Sequence, residues 1–121
     1  MRFDLLVTEE LPEAPEVALV EIVGKLGVSN ARTLDSALVN LREHGFTRVV
    51  LDLSRAVYLN SGAASVLLRH QELLRAKGGG LALVALGANL PLVIDMLGLK
   101  DVLPAHETRA EAVERLARLT K

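Results

Sequence analysis

The sequence predicts a single α/β domain with a mixed sheet of four to five strands and about four helices. Strand and helix patterns alternate from the second strand onward, which is typical of parallel strands joined by helices. The first two β-type runs follow each other without a helix between them, so we expect one hairpin-like pair beside the parallel strands. The chain has 121 residues, a length that suits one domain with a core of its own.

Five short apolar runs are the candidate strands. Pro12 and Pro15 separate the first two, and that segment can only be a loop or a sheet edge because proline has no backbone N–H. Gly24 is expected to end the second run. The fourth run has no charge, which is typical of a strand buried on both faces. The runs are Phe3 to Val7, Val17 to Val23, Val49 to Leu53 with Val57 to Leu59 extending or following it, Leu81 to Leu86, and Val102 to Leu103.

Capping residues mark the first two helices. The first helix is expected to begin at Ser29, a candidate N-cap, and to stop at Gly45. The second is expected from Ser61 to about Lys77. The glycines at positions 78 to 80 follow a helix and precede a strand, so we interpret them as a helix C-cap with a tight turn into the sheet. They do not fit a phosphate-binding loop, which lies between a strand and a helix.

Two shorter helices complete the pattern. The segment Leu90 to Leu97 has Pro91 in its first turn and Gly98 just past its end, as helices prefer. The last helix is expected to begin near Thr108, because Thr108 and Glu111 have the spacing of a capping box.

The composition excludes several classes of function. The chain has 14 Lys and Arg against 15 Asp and Glu, with only 1 Tyr and 2 Phe as aromatic residues. Nucleic-acid binding needs a clustered basic excess and rings for stacking, so we expect none. The absence of cysteine excludes thiol nucleophiles, thiolate metal sites and disulfides. The chain has neither an apolar run of the roughly 18 to 20 residues that a membrane helix needs nor a secretion signal, and we expect a cytoplasmic protein.

The histidines and single carboxylates do not form a catalytic set in the sequence. His44 is expected in the last turn of the first helix, His70 half-buried among leucines of the second, and His106 in a loop. Asp52 at a strand end and Asp95 on a short helix are expected to be solvated. Because no nucleophile, base and metal-ligand pattern can be assembled, we expect no enzyme activity, no metal and no cofactor.

The junction between residues 58 and 64 combines a strand end, a serine and small side chains. A β-type segment turns directly into a helix there, so Ser61 falls at or beside the N-cap. The N–H groups of Gly62, Ala63 and Ala64 and the helix dipole would stabilise a phosphoserine, whose charge is about −1.5 to −2. The small side chains also leave the turn open to another protein. Ser61 is therefore either an ordinary capping residue or a site of modification and docking.

Three groups of residues between positions 15 and 117 carry a family resemblance. The first group, Val20 to Leu26 with Asn30 to Leu34, is similar to a family strand that ends in Gly-Glu-Leu-Asp and to the helix after it. The second, Val49 to Ser54 with Tyr58 to Gly62, is similar to a strand followed by a switch motif, Asp-Ser-Ser-Gly or Asp-Ser-Thr-Gly. The third, Gly78-Gly79 with Leu81 to Val84 and Asp95 to Leu99, is similar to a late Gly-Gly, strand and helix signature. Their order and spacing resemble the STAS domains, the family of bacterial anti-anti-sigma factors, also called anti-sigma factor antagonists.

The resemblance implies a single STAS-like domain, residues 1–121, that regulates transcription without being an enzyme. In this family the serine directly after the motif's Asp is phosphorylated by an anti-sigma factor that is a serine kinase. Phosphorylation blocks binding, and a phosphatase reverses it. Ser61 occupies that position. By the same resemblance, the partner-binding residues are Tyr58, Asn60, Ser61, Gly62, Ala63 and Gly27.

Two acidic positions of the family motifs differ in this chain. Asn60 stands where the switch motif has Asp, and Gly27 stands where Gly-Glu-Leu-Asp has its Asp. Gly62 and Ala63 replace the Ser or Thr and the Gly that follow the serine. Two functions therefore stay open: a signalling protein switched by phosphorylation of Ser61, and a scaffold or adaptor subunit of a stress-signalling or lipid-transport complex that is not phosphorylated.

Overall fold

A computed structural model describes residues 3–26, 28–59, 61–84 and 105–119. Within these ranges the chain forms five strands and three helices. In chain order they are β1 (Phe3–Thr8), β2 (Val17–Leu26), α1 (Val28–Glu43), β3 (Arg48–Leu59), α2 (Ser61–Arg75), β4 (Gly80–Val84), β5 (Ala105–His106) and α3 (Arg109–Ala117). The helix expected at residues 90 to 97, the strand expected at 102 to 103, and Asp95 lie outside the described residues.

The strands form one mixed sheet in the order β1-β2-β3-β4-β5. β1 and β2 are antiparallel, whereas β2 with β3, β3 with β4 and β4 with β5 are parallel. The predicted α/β class with a mixed sheet is therefore confirmed, including the hairpin-like first pair. Because parallel strands all end at the same edge of a sheet, the carboxyl ends of β2 and β3 lie side by side.

Each face of the sheet is covered by a separate hydrophobic core. The larger core packs Ile22, Leu51 and Leu83 of the strands against Leu38 of α1 and Leu67 of α2, all at most 1% exposed. Alternate residues of the same strands point to the opposite face, as the period of two in a β-strand requires. There Leu19, Val50 and Ala82 pack against Ala112 and Leu116 of α3.

The second strand is longer than its sequence pattern predicts. β2 continues through Gly24 to Leu26, so the expected end at Gly24 is wrong. Gly24 has a φ of 98°, and the pairing of β2 with β3 shifts register between Gly24 and Lys25. A glycine at positive φ in such a shift forms a bulge, which bends a strand without ending it. The strand therefore reaches the position from which α1 can begin.

Glycines end both long helices in the predicted manner. Gly45 has a φ of 92° after α1 and Gly78 a φ of 83° after α2. In each case the next residue donates its N–H five residues back, from Phe46 to the Leu41 carbonyl at 3.0 Å and from Gly79 to the Leu74 carbonyl at 2.9 Å. This Schellman pattern satisfies carbonyls that a helix end leaves free. Ser29 is not the N-cap of α1, because the helix already begins at Val28.

The tight turn expected at residues 78 to 80 is confirmed. A Cβ atom on Gly79 would lie 1.7 Å from the Thr47 carbonyl oxygen, so only glycine fits there. The same oxygen accepts the N–H of Gly80 at 2.8 Å and aligns the start of β4 with β3. These glycines hold sheet and helix together and do not form a phosphate-binding loop.

α3 begins as its sequence predicts, but the segment before it differs. Thr108 is the N-cap, and Thr108 and Glu111 form the capping box, with the Glu111 N–H donating to Thr108 Oγ1 at 3.2 Å. His106 lies in β5 and not in a loop, because its backbone pairs with Val84 of β4. Within the described ranges, no helix is both long and apolar enough to cross a membrane.

Candidate functional site

The candidate site lies where β2 and β3 give way to helices. Leu26, the last residue of β2, pairs with Leu59, the last residue of β3. α1 begins at Val28 and α2 at Ser61, so both helices start at the carboxyl edge of the two strands. A helix N-terminus carries free N–H groups and a partial positive charge, and here two such ends belong to one edge of the sheet. We call this region the Ser61 edge. Gly27 and Asn60 lie outside the described residues.

The predicted site residues that are described take different positions at this edge. Ser61 is the first residue of α2, in agreement with its expected place at or beside the N-cap. Tyr58 belongs to β3 and pairs with Lys25 of β2. Gly62 is exposed, whereas Ala63 is fully buried in the core. Ala63 therefore anchors the first turn of α2, and its methyl group is not available to a partner.

An exposed ridge extends from Ser61 along α2. Ser65, Arg69 and Leu73 follow Ser61 at intervals of four residues, which places them on one face of the helix. All three are exposed, and Leu73 is 38% exposed although it is a large apolar residue. The sequence interpretation did not identify this α2 ridge. The four-residue spacing from Ser61 was the available signal, but exposure could not be read from it.

A polar cluster joins α1 and α2 beneath that ridge. His70 is completely buried, not half-buried as expected, and its Nε2 lies 2.6 Å from Asp35 Oδ1 of α1. Arg69 forms an ion pair with the same Asp35 oxygen. The buried Nδ1 of His70 has no hydrogen-bond partner among the described residues. The acceptor on Nε2 implies that this nitrogen carries the hydrogen of a neutral imidazole.

The two titrating groups of this cluster shift in the same direction. Burial lowers the pKa of His70, because a charged imidazolium is poorly solvated there, and this outweighs the opposing effect of Asp35. The hydrogen bond with His70 is the main cause that holds the pKa of Asp35 below its usual range, and Arg69 adds to it. At neutral pH the cluster is therefore a neutral His70 that donates to an ionised Asp35.

A second polar cluster lies on the opposite face of the sheet, and it corrects the expectation for Asp52. That residue lies within β3 and its side chain is only 11% exposed. One oxygen accepts the N–H of Ser54 at 2.9 Å, and the other lies 3.5 Å from the Arg109 guanidinium of α3. Arg109 and Arg55 also approach Glu21 of β2, at 3.6 and 3.7 Å. The cluster fixes the start of α3 on the sheet.

The remaining histidines do not join either cluster. His44 lies one residue beyond the end of α1, not in its last turn, and its exposed ring pairs with Glu9. Burial lowers the pKa of His106, and the nearby Arg115 adds to this effect.

Among the described residues, no group of three or more His, Asp or Glu side chains could hold a metal ion. An open cavity of about 390 Å³ beside α3 is lined mainly by charges of both signs.

Comparisons with known proteins identify the family. The STAS domain family matches residues 9–112, so the chain belongs to the STAS domain family. Over 89 residues it is 32% identical to BtrV, a candidate anti-sigma factor antagonist of Bordetella bronchiseptica, with 74% of this chain and 77% of BtrV covered.

Solved structures share the fold at lower identity. A candidate anti-sigma factor antagonist of Thermotoga maritima superposes with a TM-score of 0.79 at 19% identity, covering 96% of this chain and 95% of the other. The Bacillus cell fate determinant SpoIIAA in its phosphorylated form gives a TM-score of 0.65 at 20% identity, covering 94% and 98%. The resemblance to STAS domains predicted from the sequence is thus confirmed.

Proposed function

We propose that this protein is an anti-sigma factor antagonist that binds an anti-sigma factor with serine kinase activity through the Ser61 edge and the α2 ridge. The observation that carries the proposal is the position of Ser61, the first residue of α2, beside an exposed Gly62 at an edge shared by two helix N-termini. Membership in the STAS family and the 32% identity to BtrV support it. In this proposal the free protein sequesters the anti-sigma factor, which frees the sigma factor for transcription in the cytoplasm.

The proposed control is phosphorylation of Ser61. The partner kinase transfers the γ-phosphoryl group of ATP to the Ser61 hydroxyl oxygen, a P–O bond to ADP breaks, and the hydroxyl proton passes to a base of the kinase. The new group carries a charge of about −1.5 to −2. Because placing this charge in a docking surface of small residues costs desolvation and adds repulsion, docking weakens by about 1 to 3 kcal/mol, and a phosphatase that hydrolyses the ester restores docking. SpoIIAA, which shares the fold, is known in a phosphorylated form.

A second candidate function follows from the family positions that differ. Asn60 and Gly27 replace acidic residues of the family motifs. A chain that docks its partner constitutively, as a scaffold or adaptor subunit of a stress-signalling or lipid-transport complex, has no need of those carboxylates. This candidate keeps the docking surface and omits the phosphorylation.

Phosphate mapping and partner binding distinguish the two candidates. The purified chain is incubated with ATP and serine-kinase anti-sigma factors from the same cells, and phosphate is located by mass spectrometry. We expect modification of Ser61, none in Ser61→Ala, and binding by Ser61→Asp at least about 10-fold weaker than wild type. The matched control is Ser36→Asp, which adds the same charge at an exposed position of α1 outside the Ser61 edge and the α2 ridge and should bind close to wild type. An unmodified Ser61, with Ser61→Asp binding as wild type, would overturn the switch and favour the adaptor.

A further inference from the structure

The Asp35, His70 and Arg69 cluster occupies a special position with respect to the Ser61 edge. α1 and α2 both start at that edge, and the cluster joins them at Asp35, about two turns along α1, and at His70, about two and a half turns along α2. Below it, the two helices share an apolar core. The spacing between the helix starts therefore depends on apolar contacts, which are close-packed but non-directional, and on this polar contact, which is directional.

The burial of His70 makes the contact specific. The imidazole is completely buried, and the Nε2 to Oδ1 distance of 2.6 Å is that of a strong hydrogen bond to a charged acceptor. Nδ1 has no hydrogen-bond partner among the described residues. Within that part of the chain, the imidazole is therefore held by the hydrogen bond of Nε2. A displacement of α2 relative to α1 would break it and leave a buried N–H without an acceptor, which is costly.

Arg69 connects the buried contact to the surface. Its guanidinium pairs with the Asp35 oxygen that also accepts from His70, and its side chain is 57% exposed on the α2 ridge. Any group that draws Arg69 away from Asp35 changes the charge around the oxygen that His70 uses. The exposed Arg69 and the buried His70 are thus linked through the carboxylate of Asp35.

We propose that Asp35 and His70 are positioning residues that hold α1 and α2 in register, so that their starts present one rigid docking surface at the Ser61 edge. Neither side chain needs to touch the partner. The inference rests on the proposed function for what the surface binds, whereas the positioning itself is a property of the free protein.

Hydrogen exchange in the free protein tests the positioning directly. The amides of residues 65 to 68 donate to carbonyls of the first turn of α2, so their exchange reports opening at the Ser61 edge. We expect at least about 10-fold faster exchange in Asp35→Ala, which removes the acceptor, and rates within about 3-fold of wild type in Asp35→Asn, which keeps it. Asp35 is 32% exposed, so both variants should fold.

The control variant and the binding measurement complete the test. His44→Gln removes an exposed imidazole that pairs with Glu9 near the other end of α1 and should leave exchange at residues 65 to 68 unchanged. Binding to the kinase should weaken about 5-fold or more in Asp35→Ala and recover in Asp35→Asn. The inference would be overturned if residues 65 to 68 of Asp35→Ala exchanged at the wild-type rate. It would also be overturned if they exchanged as fast in Asp35→Asn as in Asp35→Ala. A wild-type chain that binds no kinase would instead overturn the proposed function, because exchange is measured without a partner.

Discussion

At the scale of single residues, the side chain of Gln71 pairs with backbone groups of β4 as a neighbouring strand would. Within the described residues, β5 pairs with β4 at Leu83 and Val84. Two residues earlier on the same strand, the N–H of Leu81 donates to Gln71 Oε1 at 2.7 Å, and the Leu81 carbonyl lies 3.5 Å from Gln71 Nε2. Residues two apart in a strand direct their backbone groups to the same side. The buried amide of Gln71 therefore supplies partners for Leu81 on the side of β4 that β5 pairs with.

Replacing Gln71 by leucine should show how much its contacts with the backbone of Leu81 stabilise the protein. Gln71→Leu keeps an apolar stem of similar size but leaves the buried N–H and C=O of Leu81 without partners. We expect the free energy of unfolding to fall by about 1 to 3 kcal/mol. Urea titration followed by circular dichroism measures the change. Glu72→Leu introduces the same side chain at the exposed neighbouring position and should stay within about 0.5 kcal/mol. Equal losses in both variants would contradict this role for Gln71.

The polar partners of single residues could not be predicted from the sequence. His70 stands among apolar residues of α2, and its position on the packed side was predictable from that spacing. Its acceptor Asp35 is 35 positions away and was not predictable. The same applies to Asp52, which is held by Arg109, 57 positions further along the chain. Local periodicity shows which face a residue occupies, but not which distant charge meets it there.

At the scale of elements, α3 is short and depends on its ends. It has nine residues, fewer than the roughly 12 to 15 that a helix needs to be stable alone. Its start is held by the capping box and by Arg109, which reaches Asp52 and Glu21. Beyond its other end, Arg48 donates to the Leu119 carbonyl at 2.8 Å. The buried Ala112 and Leu116 then attach the helix to the sheet.

Removing the cap of α3 should therefore destabilise the domain measurably. Thr108→Ala deletes the hydroxyl that accepts the Glu111 N–H. We expect a loss of about 0.5 to 2 kcal/mol in the free energy of unfolding, measured by urea titration. Glu111→Gln is the matched control, because glutamine also serves at the third position of a capping box. It should retain most of the stability. A Thr108→Ala variant as stable as wild type would show that tertiary contacts alone hold the start of α3.

The elements themselves were largely predictable, and their limits were not. Period-two and helical patterns located β1 to β4 and the described helices, because burial on one face imposes them. They did not locate β5, because it is two residues long and includes His106, which was expected in a loop. The end of β2 was missed because Gly24 resembles a strand terminator in sequence but forms a bulge in the sheet. The start of α1 was misplaced because Ser29 is a good capping residue even where it does not cap. The place of Ser61 at the start of α2 was predicted from the residues that flank it.

At the scale of the whole molecule, the described residues form two layers of helix around one sheet. α1 and α2 cover one face and α3 the other, and each layer has one polar cluster that contains a buried or half-buried carboxylate. The net charge of the chain is −1, so overall repulsion contributes little to its stability near neutral pH. Its response to acid therefore depends on the few groups whose pKa values change on folding.

Acid should destabilise the protein in two stages. Burial lowers the pKa of His70 and of His106 from 6.5 in the folded state, so the unfolded chain binds more protons just below that pH. The stability that neutral His70 contributes is complete above pH 6.5 and is lost as the pH falls through the folded value. The pKa of Asp35 is lowered from 3.8, so a second loss follows below that pH. Urea midpoints measured between pH 8 and pH 3 should fall in this order.

The first stage can be assigned to its histidines by substitution. His70→Gln keeps a donor for Asp35 but cannot titrate, so its urea midpoint should change less between pH 7 and about pH 5 than that of wild type. His106→Gln should also reduce the change in urea midpoint between pH 7 and about pH 5, because burial lowers the pKa of His106 in the folded protein as well. An unchanged slope in His70→Gln would show that the buried imidazole is protonated equally in the folded and unfolded chains. In that case the buried ring would not contribute to the first stage, which would then come from His106.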